Sequence, residues 1–355
     1  MPITVVGSIA YDTVKTPFGE RQRMLGGAAV HFALAASFFD EVRVVGPVGD
    51  DFGEEQLRVL RARGVDVADV ERVAGGRTFF WHGEYGWDLN SRKTHDTQLG
   101  VFEGFTPKLS ERSRASDVLF LANIQPDLQH EVRVQLPHAR FVALDSMNLW
   151  IDVARDSLVR AIENVDCLIL NDAELRQLTG RPNLIAAARE ILSWSPSPPS
   201  ASPRSASPRS ASPRSASPRS ASAGAAEPAA GDGAGALRGP SVIVAKQGEY
   251  GAALITSEGF FALPAYPLET VIDPTGAGDT FAGGLVGYVA AHPHEPLSDE
   301  LLRRAMAHAT VLASFNVEEF GTERVQRLRG REIVGRIQEL HAMTQFSGAP
   351  LQLRG

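Results

Sequence analysis

Short β-branched runs, each closed by a glycine or a polar residue and followed by a stretch of helical length, recur through most of this chain. That alternation is its strongest constraint on fold. The runs "ITVVG", "VRVVG", "DVLFLAN", "RFVALD", "CLILN" and "SVIVAK" are apolar almost throughout, as strands covered on both faces of a parallel sheet are. Between them, Ala/Leu-rich spacing predicts helices over 28–39, 52–63, 158–164, 173–178, 186–194, 281–291 and 301–315. The implied class is α/β, with ligands expected at the carboxyl ends of the strands.

Two segments break the alternation. Residues 200–219 are four copies of Ser-Ala-Ser-Pro-Arg inside a Ser/Pro/Ala/Gly-rich tract, 195–239. With almost nothing to bury and a proline every fifth residue, this tract is expected to be a disordered surface insertion, either neutral or a basic, phosphorylatable docking segment. The second segment, 77–105, is aromatic and polar with period-two character, and predicts antiparallel strands outside the main sheet. It is expected to act as a lid, a decorative hairpin or a dimer contact.

Composition narrows the chemistry. The formal net charge of −7 opposes general attraction to nucleic acid or to anionic lipid, which leaves a small molecule as the expected partner. Cys167 is the only cysteine, so neither a disulfide framework nor a thiolate metal cluster is available, and its apolar neighbours mark it as a core residue. No run reaches the ~18 apolar residues of a membrane span, and the first residues carry no basic-then-apolar pattern. A cytoplasmic location is the expectation.

The stretch "VIDPTGAGDTFAGG" carries the chemistry. Asp273-Pro274 ends a strand-like run, the glycines allow a tight turn, and the following apolar segment begins a helix whose free N–H groups make an anion cradle. Asp279 falls in the first turn of that helix. It is either a simple cap or a general base beside the cradle, accepting a proton from a hydroxyl that attacks a phosphoryl group. A P-loop is excluded because no lysine follows Gly278, and the dinucleotide fingerprint fails because Phe281 stands at its third glycine.

"DPTGAGDTFAGG" resembles the C-terminal signature of the ribokinase-like (PfkB) family of carbohydrate and nucleoside kinases, and the remaining motifs agree in order and spacing outside the Ser/Pro/Arg tract. The resemblance implies one three-layer α/β/α domain over 1–345 with a central, mostly parallel sheet and a small β-lid formed by about 10–25 and 77–105. It also implies transfer of the ATP γ-phosphate to an alcohol. By it, Asp279 is similar to the catalytic base, and Gly276, Ala277 and Gly278 to the anion hole. Asn171 and Glu174 resemble the Asn-x-x-Glu element that organises Mg²⁺ through water; a helix capping box explains the same pair without metal. Lys246, Gly248, Gly251 and Thr275 fall in segments that border the nucleotide, Lys246 standing where threonine is usual. Asp273 is implied as a ligand of a monovalent cation such as K⁺.

On the acceptor side the resemblance implies Asp12 as the carboxylate that binds substrate hydroxyls, with Gly26 and Gly27 as the paired glycines before the first long helix. His31 stands where asparagine is usual. It reaches a substrate hydroxyl or is a satisfied helix histidine. His82, Trp87, Asn90 and Arg92 of the lid block are candidates to close over the acceptor. Asn123, Asp145 and Ser146 sit at strand ends and are either cleft residues or caps. The expected function is an ATP- and Mg²⁺-dependent kinase of a sugar or sugar-like polyol, with a nucleoside kinase or a catalytically silent metabolite-binding regulator as alternatives. A homodimer through the lid is a further expectation.

Overall fold

The computed structural model describes residues 1–194 and 239–345. The tract expected to be a disordered insertion, 195–239, lies outside the described residues except for Gly239. The chain forms β1 (Ile3–Val6), β2 (Ala10–Thr16), β3 (Gly19–Gly26), β4 (Val42–Val48), β5 (Val70–Arg72), β6 (Phe79–Tyr85), β7 (Arg92–Gln98), β8 (Val118–Leu121), β9 (Phe141–Asp145), β10 (Cys167–Asn171), β11 (Val242–Lys246), β12 (Ala252–Thr256) and β13 (Phe260–Leu263).

Nine of these strands make one sheet in the order β13-β12-β11-β10-β9-β8-β1-β4-β5, parallel except near one edge, where β12 runs antiparallel to both β11 and β13. Period-two alternation divides each central strand between two cores. Ile3, Val5, Val118, Phe120, Cys167 and Ile169 pack on one face with the helices Ala28–Ala36, Ala277–Ala290 and Asp299–Asn316. Val6, Leu119, Leu121, Leu168 and Leu170 pack on the other, with Pro126–Gln135, Arg155–Ile162, Asp172–Thr179 and Leu184–Leu192. This is a three-layer α/β/α arrangement, and Cys167 is buried in it.

The foreseen helices form with shifted ends, and two substantial ones escape the sequence reading. Pro126–Gln135 carries proline at its first position, a start signal, and Gly330–Thr344 is a mixed-charge helix that buries only Ile333 and Leu340.

The remaining strands make a second sheet in the order β3-β2-β6-β7. Here β6 and β7 pair antiparallel, while β2 and β6 run parallel. Its edge strand β7 is exposed along its whole length. Elsewhere, a Cβ built on Gly239 would stand 2.1 Å from the Trp194 carbonyl oxygen, so the chain on either side of the repeat tract meets at one point, next to the amino end of β11.

Candidate active site

Three neighbouring strands deliver polar residues to one place. The register pairs Ile169 with Asp145 and Asn171 with Lys246, so the carboxyl ends of β9, β10 and β11 lie side by side. Lys246 Nζ donates to Asp145 Oδ2 at 2.7 Å, with the two side chains 18% and 6% exposed. Asn171 caps the next helix: its Oδ1 accepts the Glu174 amide at 2.7 Å, and Glu174 Oε2 accepts the Asn171 amide at 2.8 Å. The capping box therefore forms, and it leaves Glu174 Oε1 without a protein hydrogen bond among the described residues. Burial pushes the Glu174 carboxyl up to about 7; the Asp145 charge adds to this, while the Lys246 charge opposes it.

The glycine turn stands beside this group. Asp273 is fully buried and spends both oxygens on amides, Oδ1 on Thr275 and Oδ2 on Gly321, each at 2.9 Å. Asp273, expected to help hold a monovalent cation, clamps the turn to the loop that ends at Gly321. Gly276 caps the helix Ala277–Ala290 with φ 74°, in the left-handed region that glycine adopts without strain. A Cβ there would also stand 2.2 Å from His31 Nδ1, so the imidazole fills the space under the turn. The amides of Gly276 and Gly278 make no hydrogen bond to protein among the described residues, whereas Ala277 N–H turns back to the Pro274 carbonyl at 3.2 Å. Two of the three expected cradle amides are thus free.

His31 is 2% exposed, and its Nδ1 lies 3.1 Å from Asn316 Oδ1. Asn316 Oδ1 also accepts the Thr280 hydroxyl at 3.0 Å, and Asn316 Nδ2 donates to the Thr275 carbonyl at 2.8 Å. Burial pushes the imidazole down to about 4, so it is neutral, and its Nε2 has no hydrogen-bond partner among the described residues. The expected acceptor residue therefore packs beneath the turn, joined to it through Asn316, a residue the sequence reading did not single out.

Asp279 occupies the first turn of the helix, partly exposed. Burial pushes its carboxyl up to about 7; the Asp145 charge raises it further, and the charges of Lys246 and Arg92 hold it down. Asp12 on β2 is 6% exposed and likewise pushed up to about 7, first by burial and then by the charge of Asp273, with Asp279 adding a smaller push. A Cβ on Gly26 would overlap Asp12 Oδ2, so that glycine makes room for the carboxylate, and Gly27, at φ 98°, starts the helix Ala28–Ala36.

The second sheet presents one face to this group. Asp12 pairs with Trp81, Gly83 with Thr94 and Tyr85 with Arg92, and paired residues share a face. Trp81 lies flat across that face: a Cβ on Gly83 would stand 2.1 Å from its ring, and Arg92 sits 5.5 Å over it. Tyr85 accepts the Thr275 hydroxyl at 3.3 Å, so this is the side that meets the glycine turn. His82 points the other way, toward His95, because adjacent strand residues alternate. It does not join the acceptor group. Sequence reasoning misses both Trp81 and Tyr85; for Trp81, an aromatic residue two positions before a glycine in a period-two run is the available signal.

A cavity of about 480 Å³ opens beside the helix start, lined by Gly248, Gly251, Pro274, Ala277, Ser314 and Val317 among others. Asn90, expected over the acceptor, lies instead on the rim of this cavity. It donates to Glu249 at 3.3 Å and stands close to Gly248. The arrangement therefore comprises an apolar cavity, a turn with free amides, a half-buried lysine and a carboxyl group whose pKa is raised to near neutrality, facing a second carboxylate under an aromatic sheet. Such a set can hold a nucleotide, neutralise phosphoryl charge and deprotonate a hydroxyl.

A fold of this topology and a site of this kind define a small-molecule phosphotransferase. The chain matches the pfkB family carbohydrate kinases over residues 3–197 and 223–327, and it belongs to that family. It is a phosphotransferase acting on hydroxyl groups. Among characterised relatives it is 26% identical to a cytidine kinase of Thermococcus kodakarensis over 304 residues, 83% of this chain and 91% of that one. The nucleoside kinase of Burkholderia thailandensis, solved with inosine, has the same fold at a TM-score of 0.66 and 18% identity, over 96% of this chain and 99% of its own. An Escherichia coli protein described as ribokinase II, solved with ATP and Mg²⁺, matches at 0.67 and 17%, over 95% and 99%. No helix among the described residues is long and apolar enough to cross a membrane.

Proposed function

We propose that this chain is an ATP- and Mg²⁺-dependent nucleoside kinase. The observation that carries the choice of acceptor is the Trp81 ring, laid flat over Gly83 on the same sheet face as Asp12. A flat aromatic platform next to a hydroxyl-binding carboxylate suits a nucleobase joined to a ribose better than a free sugar or polyol, and the cytidine kinase likeness supports the same class.

In this reading the base stacks on Trp81 and Asp12 accepts ribose hydroxyl protons. Asp279, raised toward neutrality, takes the proton of the attacking hydroxyl. The free amides of Gly276 and Gly278 receive the developing phosphoryl charge, and the cavity beside them takes the adenosine of ATP. Among the described residues no three His, Cys, Asp or Glu side chains could hold a metal together, so Mg²⁺ fits as the nucleotide's own ion, with Glu174 reaching it through water. When bound, that ion neutralises the β and γ oxygens.

Coupled ADP release across cytidine, inosine, adenosine, guanosine, ribose and hexoses tests the assignment. A nucleoside should give the highest kcat/KM, and Trp81→Ala should raise its KM by roughly 5- to 150-fold, the range that ~1–3 kcal/mol of base stacking implies. A free pentose or hexose used better than every nucleoside would overturn it.

A further inference from the structure

We propose that Lys246 is a catalytic residue of the phosphoryl transfer, its ammonium completing the anion pocket at the glycine turn, and that Asp145 is the positioning residue that holds it there. The inference rests on the phosphotransfer reading above but not on the identity of the acceptor. A Cβ built on Gly278 would stand 3.1 Å from Lys246 Nζ, so the ammonium sits against the turn whose amides are free. Of its three N–H donors, one goes to Asp145 at 2.7 Å, and the other two have no protein acceptor among the described residues. A lysine used only to satisfy Asp145 would be an expensive way to fill this space, because buried ion pairs are often no more stable than apolar side chains of the same volume.

The surroundings agree. Asp145, Glu174 and Asp279 bring three carboxyl groups to the ammonium, which keeps it charged despite its partial burial. Arg92, from the exposed strand β7, supplies further positive charge from across the cleft. A lysine is a compact point charge on a flexible stem, suited to following a phosphoryl group as it moves. In the step, the acceptor hydroxyl oxygen forms a bond to the γ-phosphorus while the bond from that phosphorus to the β–γ bridging oxygen breaks. The bond pair leaves on ADP and the hydroxyl proton passes to Asp279. Lys246 keeps its own proton and donates hydrogen bonds to the oxygens of the transferred group.

Calorimetry with the Mg²⁺ complexes of ADP and of the non-hydrolysable analogue AMP-PNP tests this without any acceptor, so a wrong acceptor class would leave the result intact. Lys246→Met should weaken AMP-PNP by about tenfold or more while changing ADP little. With an acceptor found by screening, its kcat should fall by roughly 10²–10³, as loss of one donor to a developing oxyanion does. Lys246→Arg should recover part of both, and Asp145→Asn should lower kcat less than Lys246→Met. If Lys246→Met is unstable because Asp145 is left unpaired, the Lys246→Met/Asp145→Asn double variant gives the same readout. An unchanged ratio of AMP-PNP to ADP affinity, with kcat within about threefold of wild type, would overturn the proposal.

Discussion

The Thr275 hydroxyl donates to the Tyr85 hydroxyl across 3.3 Å, and by that contact the aromatic sheet meets the turn that starts the helix Ala277–Ala290. Thr275 is otherwise committed, its amide to Asp273 and its carbonyl to Asn316. Tyr85→Phe removes the acceptor for its hydroxyl, together with the Tyr85 hydroxyl's interaction with Arg92. A hydrogen bond of ~0.5–1.5 kcal/mol corresponds to a rise in acceptor KM of roughly two- to tenfold, with the thermal midpoint lowered by no more than a few degrees. Steady-state kinetics decide this; an unaltered KM would mean that the sheet docks through other contacts.

Asp279→Asn should lower kcat by about 10²–10⁴, the usual contribution of a positioned general base, with substrate binding retained. Rapid-quench turnover alongside nucleotide calorimetry separates the two. Retention of more than a tenth of the wild-type rate would mean the proton leaves by another route.

The same substitution has a signature in stability. The Asp279 carboxyl is raised to about 7 when folded, so the folded protein favours its protonated form. That contribution is full below the ordinary aspartate range and is lost as pH rises to about 7. The asparagine variant cannot lose it. Its unfolding free energy relative to wild type, read from urea melts, should therefore climb between about pH 4 and pH 7 and level off above, by on the order of a few kcal/mol at most. A difference independent of pH would show that the carboxyl titrates normally.

Gly276→Ala meets two obstacles at once: a left-handed backbone worth ~1–2 kcal/mol and an overlap with the His31 ring. Only the second depends on His31. In urea unfolding, the Gly276→Ala/His31→Ala double variant should be more stable than the sum of the single effects allows, by more than about 0.5 kcal/mol. Strict additivity would mean that the turn relaxes away from the imidazole.

Much of this was readable from residues alone, and the reasons for the rest are physical. Central strands such as Cys167–Asn171 declare themselves because both faces are buried, and the sharp turn at Gly276 because the chemistry of glycine and proline there is local. The role of His31 was not readable, since it depends on Asn316, 285 residues away in sequence. Membership of an aromatic segment is the only ground on which the sequence offers His82 and Asn90 as acceptor residues. Which face a strand residue takes is set by pairing with β2, and where a hairpin tip lands is set by Gly248–Glu249, neither of which the segment itself encodes. The pair Lys246 and Asp145 became visible only when strand order put β9, β10 and β11 side by side.

Trp194 and Gly239 touch where β11 begins, while Lys246 stands at the far end of the same strand, separated by several residues at roughly 3.3 Å each. Whatever length of chain departs and returns there is spliced into the molecule at a single seam, at the opposite pole from the chemistry. A fluorescent reporter or an affinity handle grafted between those two residues would ride on the protein without stretching any strand that the reaction relies upon.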